Sequence, residues 1–206
     1  MLPFKTPKNM ACDYATGRAL TCKDAIGGIK SLYFVTDGTS PYTLTDADVT
    51  YSASTRQEFA DIETAITVYQ FDLPRNTATF AEPIEVSDEN GNFFYTPTLE
   101  VSFMKIDYET EDLLHAIAKN YQSVFILTDA GQVLCAGFER GLGVSGGDTT
   151  IGAGLGDGQK FTLTLSSQCQ ERAKMLPAPT AGEAVYPFDG ITTPSNVTIS
   201  ATQITA

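Results

Sequence analysis

Tryptophan is absent from the 206 residues, histidine occurs once, and basic residues are few, 13 Lys and Arg against 25 Asp and Glu. Each shortage removes a class of function. The lone His115 would have to serve in any imidazole-based acid–base or nucleophilic scheme. It lies one turn after Glu111, off the apolar side of a predicted helix, which reads as a solvated surface pair. Without Trp a sugar-binding cleft is poorly furnished, although Tyr and Phe remain. A pairing of Glu82 with Glu100 as glycosidase carboxylates therefore has little around it. The scarcity of clustered Lys and Arg argues against recognition that works by neutralising phosphates. The four cysteines, Cys12, Cys22, Cys135 and Cys169, include no close pair. With a single His they make no zinc pattern, and buried free thiols are expected. No D-x-D-x-D-G loop offers a calcium site. No apolar run approaches the length needed to span a bilayer. The opening Met1–Lys5 lacks the apolar core of a signal peptide, so an unprocessed protein made in the cytoplasm is expected. Neither a cofactor nor an enzymatic activity is expected.

What is present points to β structure. Seventeen glycines, ten prolines and abundant Thr favour short strands and many turns over a helical bundle. An apolar fraction of 42% is enough for one good core. The net charge of −12 is unevenly spread. Residues 1–23 carry Lys5, Lys8, Arg18 and Lys23 against Asp13, a local +3, so the remainder carries −15. Between Glu82 and Asp112 nine acids face one base, Lys105. Three parts follow from these shifts: an N-terminal arm over 1–23, a β-sandwich domain over 24–175, and a C-terminal extension over 176–206. The extension holds no base after Pro179, and its last strand-like run is Asn196 to Ile204.

Along the domain, Ile29–Val35 reads as a strand ended by Thr36-Asp-Gly38. A short strand is expected at Val49–Tyr51. The central stretch is 61–121. There Thr64–Leu73 and Thr79–Val86 form a long antiparallel pair, and the chain returns from Phe93 to Ile106 after the Asp88–Gly91 turn. In that return Leu99, Val101 and Phe103 share one face, while Thr96, Thr98, Glu100 and Ser102 share the other. Period-two alternation of this kind marks a half-buried strand. The one helix starts with Thr110 as N-cap and Glu111 and Asp112 in its first turn. Leu113, Leu114, Ile117, Ala118 and Tyr121 lie on one side of it, and Asn120 ends it. Ser123–Thr128 and Gln132–Phe138 then read as a hairpin, and Gln159–Leu165 as a strand with Phe161, Leu163 and Leu165 inward.

Gly141-Leu-Gly-Val-Ser-Gly146 matches the dinucleotide fingerprint, but no helix can follow it, so the match is refused. Residues 141–158, with eight glycines, read instead as a long mobile loop. Asn196-Val-Thr198 is a glycosylation sequon that matters only in a secreted protein. The acidic run has two readings: a solvated face, or a surface that must not hold polyanions. A DNA-carrying pore should be lined with small hydroxyls and like charge, and Thr96, Thr98, Glu100 and Ser102 would furnish that wall.

The order of basic arm, strand, long hairpin with an acidic wettable face, one helix, hairpin and closing strand resembles the tail tube proteins of long-tailed bacteriophages and contractile injection systems. The run Asp24 to Phe34 is also similar to openings of phage virion proteins. The resemblance covers about residues 24–175. It implies a mainly β fold, a β-sandwich or barrel with one flanking helix, a long hairpin and extended N- and C-terminal arms. It further implies a structural virion protein of the tail, a tube subunit in stacked homohexameric rings through which DNA passes without specific binding. Neighbouring tail proteins would be its other partners. Arms docked on neighbours would place Lys5, Lys8, Arg18 and Lys23 at subunit contacts, with Thr96, Thr98, Glu100 and Ser102 lining the channel. Two alternatives stay open: a monomeric β-sandwich module that binds a glycan or surface protein, and another virion protein of the neck or baseplate.

Overall fold

Leu32, Tyr33, Phe34 and Val35 are consecutive and all buried. A strand can hide successive side chains only if both faces of its sheet are covered. The computed structural model shows that arrangement, and it describes residues 26–87, 91–104, 108–154, 158–180, 182–183 and 185–200. In chain order the elements are β1 (Ile29–Thr36), β2 (Val49–Tyr51), β3 (Phe59–Ile62), β4 (Ile66–Asp72), β5 (Ala78–Ala81), β6 (Ile84–Ser87), β7 (Asn92–Tyr95) and β8 (Thr98–Met104). There follow α1 (Tyr108–Ala118), β9 (Val124–Thr128), β10 (Val133–Ala136), β11 (Gly143–Ile151), β12 (Gln159–Ser166), β13 (Lys174–Met175) and β14 (Val197–Ser200).

The fold is mainly β, a sandwich with one flanking helix. A six-stranded sheet, β13-β10-β9-β1-β4-β14, lies at its centre. One of its faces, with Leu32, Phe34, Val124 and Ile126, packs on Leu99, Val101, Leu163 and Leu165 of a four-stranded sheet, β11-β12-β8-β5. Leu114 and Ile117 of α1 close the same core. The opposite face, with Tyr33, Val35, Phe125 and Leu127, is covered by Leu44, Phe59, Phe138, Leu176, Phe188 and Ile191. Phe188 meets both Tyr33 and Phe125 edge-on, with ring centroids 5.3 and 5.0 Å away. Such aromatic contacts add roughly 0.5–1.5 kcal/mol beyond area burial.

Several expectations need correction. β4 and the run after it do not pair: β4 sits between β1 and β14, whereas β5 pairs with β8. The turn through Pro74 and Asn76, the latter at φ +61, carries the chain from one layer to the other. Pro83 and Pro97 lack an amide hydrogen and so cannot donate to a ladder. The first separates β5 from β6 and the second separates β7 from β8, which leaves only a short β6–β7 hairpin where a long one was expected. The C-terminal extension is no free arm. Leu176, Phe188, Ile191 and Val197 enter the core, and β14 adds to β4 in parallel.

Half of the glycine-rich stretch 141–158 is a strand rather than a loop: β11 pairs with β12 from Gly143 to Ile151, and residues 155–157 lie outside the described residues. Gly141, just before it, is at φ +70, and a Cβ there would lie 2.8 Å from the Gln122 amide nitrogen, so the entry to β11 requires glycine. Tyr121 is exposed rather than on the inner side of the helix, and Ala118 is exposed as well. The helix begins at Tyr108, so Thr110 is inside it and is not the N-cap. The side chain of Leu113, Cys12, Cys22 and the whole basic arm with Lys5, Lys8, Arg18 and Lys23 lie outside the described residues.

Candidate functional site: a hydroxyl-lined sheet face

The four-stranded sheet has one face in the core and one in solvent, and strand parity decides which residues go where. On β8, Leu99 and Val101 are fully buried and Phe103 is half-buried, while Glu100 is exposed and Thr98 and Ser102 are half-exposed. Register extends the outer face across the sheet. Glu100 stands opposite Thr164 on β12 and Thr79 on β5. Ser102 stands opposite Thr162, with their hydroxyl oxygens 3.2 Å apart, and Thr162 stands opposite Asp148 on β11. Thr98 faces Ser166, and Lys160 faces Thr150. Thr150 donates to Asp148 at 3.0 Å.

The result is a wall of short hydroxyls with three charges, Glu100, Asp148 and Lys160, and one large apolar side chain, Met104, opposite Lys160. It is less acidic than the run of carboxylates in the chain suggests, because Glu82, Glu85 and Asp112 of that run lie elsewhere. Glu82 accepts from Arg172 Nε at 3.1 Å and from the Ala173 amide at 2.6 Å, with only 7% of its side chain exposed. It anchors the base of the β6–β7 hairpin and is no partner for Glu100. Glu85 accepts from Thr96 Oγ1 at 2.7 Å. Thr96 thus belongs to the link before β8 and turns toward β6, while Thr98, Glu100 and Ser102 stay together on the sheet face. Lys160, Thr162, Thr164 and Asp148 were missed in the sequence. The period of two in β12 signals Thr162 and Thr164, but only register joins them to Glu100.

Among the described residues the sheet ends in two open edges, β5 and β11. β11 is nine residues long and mostly exposed, with Asp148 its one charged residue. An edge of that length presents unpaired backbone groups ready to accept another strand. The β6–β7 ribbon adds apolar surface. By register Ile84, Val86, Phe93 and Tyr95 share one of its faces, and the first three are more than half exposed. Its base is fixed, since Tyr95 and Cys169 exchange two backbone hydrogen bonds of 2.8 Å each.

His115 is exposed on α1, as expected. Among the described residues no three His, Cys, Asp or Glu side chains gather in a way that would hold a metal ion. Cys135 and Cys169 are buried free thiols, and burial pushes both up from the usual thiol range. Lys174 is fully buried and reaches Glu171 and the Arg56 carbonyl, the latter at 3.0 Å. Tyr51 and Phe138 flank its ammonium at 5.4 and 5.9 Å from their ring centroids. A buried lysine cannot be foreseen from sequence, and its partners place it in a structural ion pair. Gly141–Gly146 leads into β11 rather than a helix, so no helix N-terminus awaits a pyrophosphate.

No family model matches the chain, and no curated protein matches it. Among solved structures, a chain from the virion of a native gene transfer agent particle is similar over 48% of this chain and 82% of that one, at 6% identity and a TM-score of 0.36. Likeness of that order carries no weight for fold or role.

Proposed function

We propose that the chain is a structural virion protein, a tail tube subunit whose four-stranded sheet lines a conduit for DNA. The observation that carries this reading is the outer face of that sheet: hydroxyls from four strands, a slight excess of negative charge, and an open edge on either side. A wall that lets a polyanion slide must not bind phosphates, and a basic lining would trap them. Thr79, Thr98, Ser102, Thr162 and Thr164 with Glu100 and Asp148 meet that demand, and Lys160 is the single base among them.

Closure follows from the edges. If β11 of one copy pairs with β5 of the next, the sheets join into a ring and both edges are satisfied. Hexameric, stacked rings are what the family resemblance implies, and the apolar ribbon β6–β7 supplies surface for contact between copies. A two-stranded ribbon with Ile84, Val86 and Phe93 in water is poorly covered in a lone subunit. The basic residues Lys5, Lys8, Arg18 and Lys23 carry the sign needed to dock on the acidic body of a neighbour. Location in the virion tail, with DNA passing through unread, completes the proposal.

Size-exclusion chromatography with electron microscopy of the purified full chain tests it. Rings or tubes are the expected result. A compact monomer at all concentrations would favour a binding module instead.

A further inference from the structure

The inner face of the four-stranded sheet extends past the six-stranded sheet and the helix that pack on it. Leu114 and Ile117 join Leu163 and Leu165 in one core, and among the described residues the row at the far end is covered only in part, with Phe103 meeting Phe71 at 5.9 Å between ring centroids. There Phe103, Phe161 and Thr149 stand side by side across β8, β12 and β11. Phe103 and Phe161 are half-buried, Thr149 is exposed, and Ile151, next on the same face of β11, is 67% exposed. A cleft runs from this row to α1, floored by Leu114, Val144, Phe161 and Leu163 and rimmed by Asp112 and His115. The helix carries Glu109, Glu111 and Asp112 in its sequence and no Lys or Arg. The cleft is thus apolar inside, with the carboxylate of Asp112 at its rim, on a helix whose sequence is acidic.

The segment with complementary character is the start of this same chain. Leu2-Pro-Phe-Lys-Thr-Pro-Lys8 holds two large apolar residues, two lysines and no acid. Its two prolines favour extended backbone, which suits a groove. The fold also says which copy delivers it. Leu73 donates to the Lys30 carbonyl at 3.2 Å, so the chain enters β1 beside the link that leads into β5. Thr77, just before β5, accepts from the Ser102 amide at 2.7 Å, one residue from the Phe103–Phe161–Thr149 row. When β5 of one copy meets β11 of the next, the start of β1 in the first copy, where residue 26 begins the described chain, lies on the side of the sheet that carries the cleft of the second.

We propose that the uncovered face between α1 and β11 takes residues 2–8 of the neighbouring copy, with Phe4 on the Phe161–Leu114 floor and Lys5 and Lys8 toward the acidic helix. This inference rests on the tube reading for the order of copies, and it names the contact through which the arm holds the ring.

The test is photo-crosslinking of the full chain with p-benzoylphenylalanine in place of Phe4, using mixed light and heavy nitrogen-labelled protein. The expected adducts join a light and a heavy chain and map to α1, β11 or β12. Adducts confined to one chain, or mapped to any other surface, overturn the proposal. Lys5→Glu and Lys8→Glu should each reduce the adduct about 2- to 5-fold, the worth of one exposed ion pair, and Asp112→Lys combined with Lys5→Glu should restore part of it. An unchanged yield in both charge variants also counts against it. Microscopy of the same samples separates the two ideas: tubes without cleft adducts refute the docking alone, and inter-chain cleft adducts without rings or tubes refute the tube reading.

Discussion

Leu99 and Glu100 are adjacent in β8 and should respond to substitution in opposite ways. Leu99 is fully buried between the two sheets, with Phe80 and Leu165 as its register partners. Truncation to Ala removes three carbons, worth about 2.4 kcal/mol at roughly 0.8 kcal/mol per buried methylene. The cavity adds to that, because strands fixed on both sides cannot collapse into it, and the total becomes about 2.5–5 kcal/mol. For a chain of this size that lowers Tm by about 5–20 °C. Glu100 is exposed between Thr79 and Thr164, so Glu100→Gln should stay within about 0.5 kcal/mol of the parent. Denaturation of the unassembled chain, followed by far-UV circular dichroism and tyrosine fluorescence, reads both. A Leu99→Ala cost below about 1 kcal/mol, or a Glu100→Gln cost as large as that of Leu99→Ala, would refute the assignment of faces.

Three further outcomes are expected. Glu171→Ala should destabilise by about 1–3 kcal/mol because it leaves the buried Lys174 ammonium short of a partner, whereas Lys174→Met, which removes the charge and keeps the volume, should cost less in the same denaturation assay. Burial pushes the Asp48 carboxyl up, but hydrogen bonds from Thr64, Thr45 and Tyr42 outweigh it and hold the group below the usual range. A lowered carboxyl stabilises fully above its unfolded value of about 3.9 and loses that contribution as pH falls through the folded one, so acid titration of Asp48→Asn should show a shallower decline below about pH 4 than the parent. Glu100→Lys should fold and assemble yet slow genome release from particles that carry it, since the added charge recurs in every subunit of the wall. Normal release through intact mutant tubes would reduce the acidity of that face to a solubility device.

Much of the architecture was legible because burial leaves a period in the sequence. The alternation of Leu99, Val101 and Phe103 against Thr98, Glu100 and Ser102 placed β8 with its faces correctly assigned. The unbroken apolar runs at Leu32–Val35 and Val124–Leu127 marked strands, though not that both belong to one sheet covered on each side. What escaped has physical causes. β11 is held by pairing with β12 rather than by its own propensity, and its glycines masked it. The C-terminal segment gains its order from Phe188 and Ile191 packing beneath residues more than fifty positions earlier in the chain, which no local pattern reports. The candidate wall was half visible. Thr98, Glu100 and Ser102 came from one strand, but Thr162, Thr164, Asp148 and Lys160 join them only through register.

The most direct measurement of the central claim is a cryo-electron microscopy reconstruction of the assembled protein at side-chain resolution. The outer face of β11-β12-β8-β5 is expected to point at the axis, with Glu100, Ser102 and Thr162 on the lumen and β5 meeting β11 between copies. An assembly with that face on its outer wall, or with Glu100 buried at a contact between subunits, would contradict it.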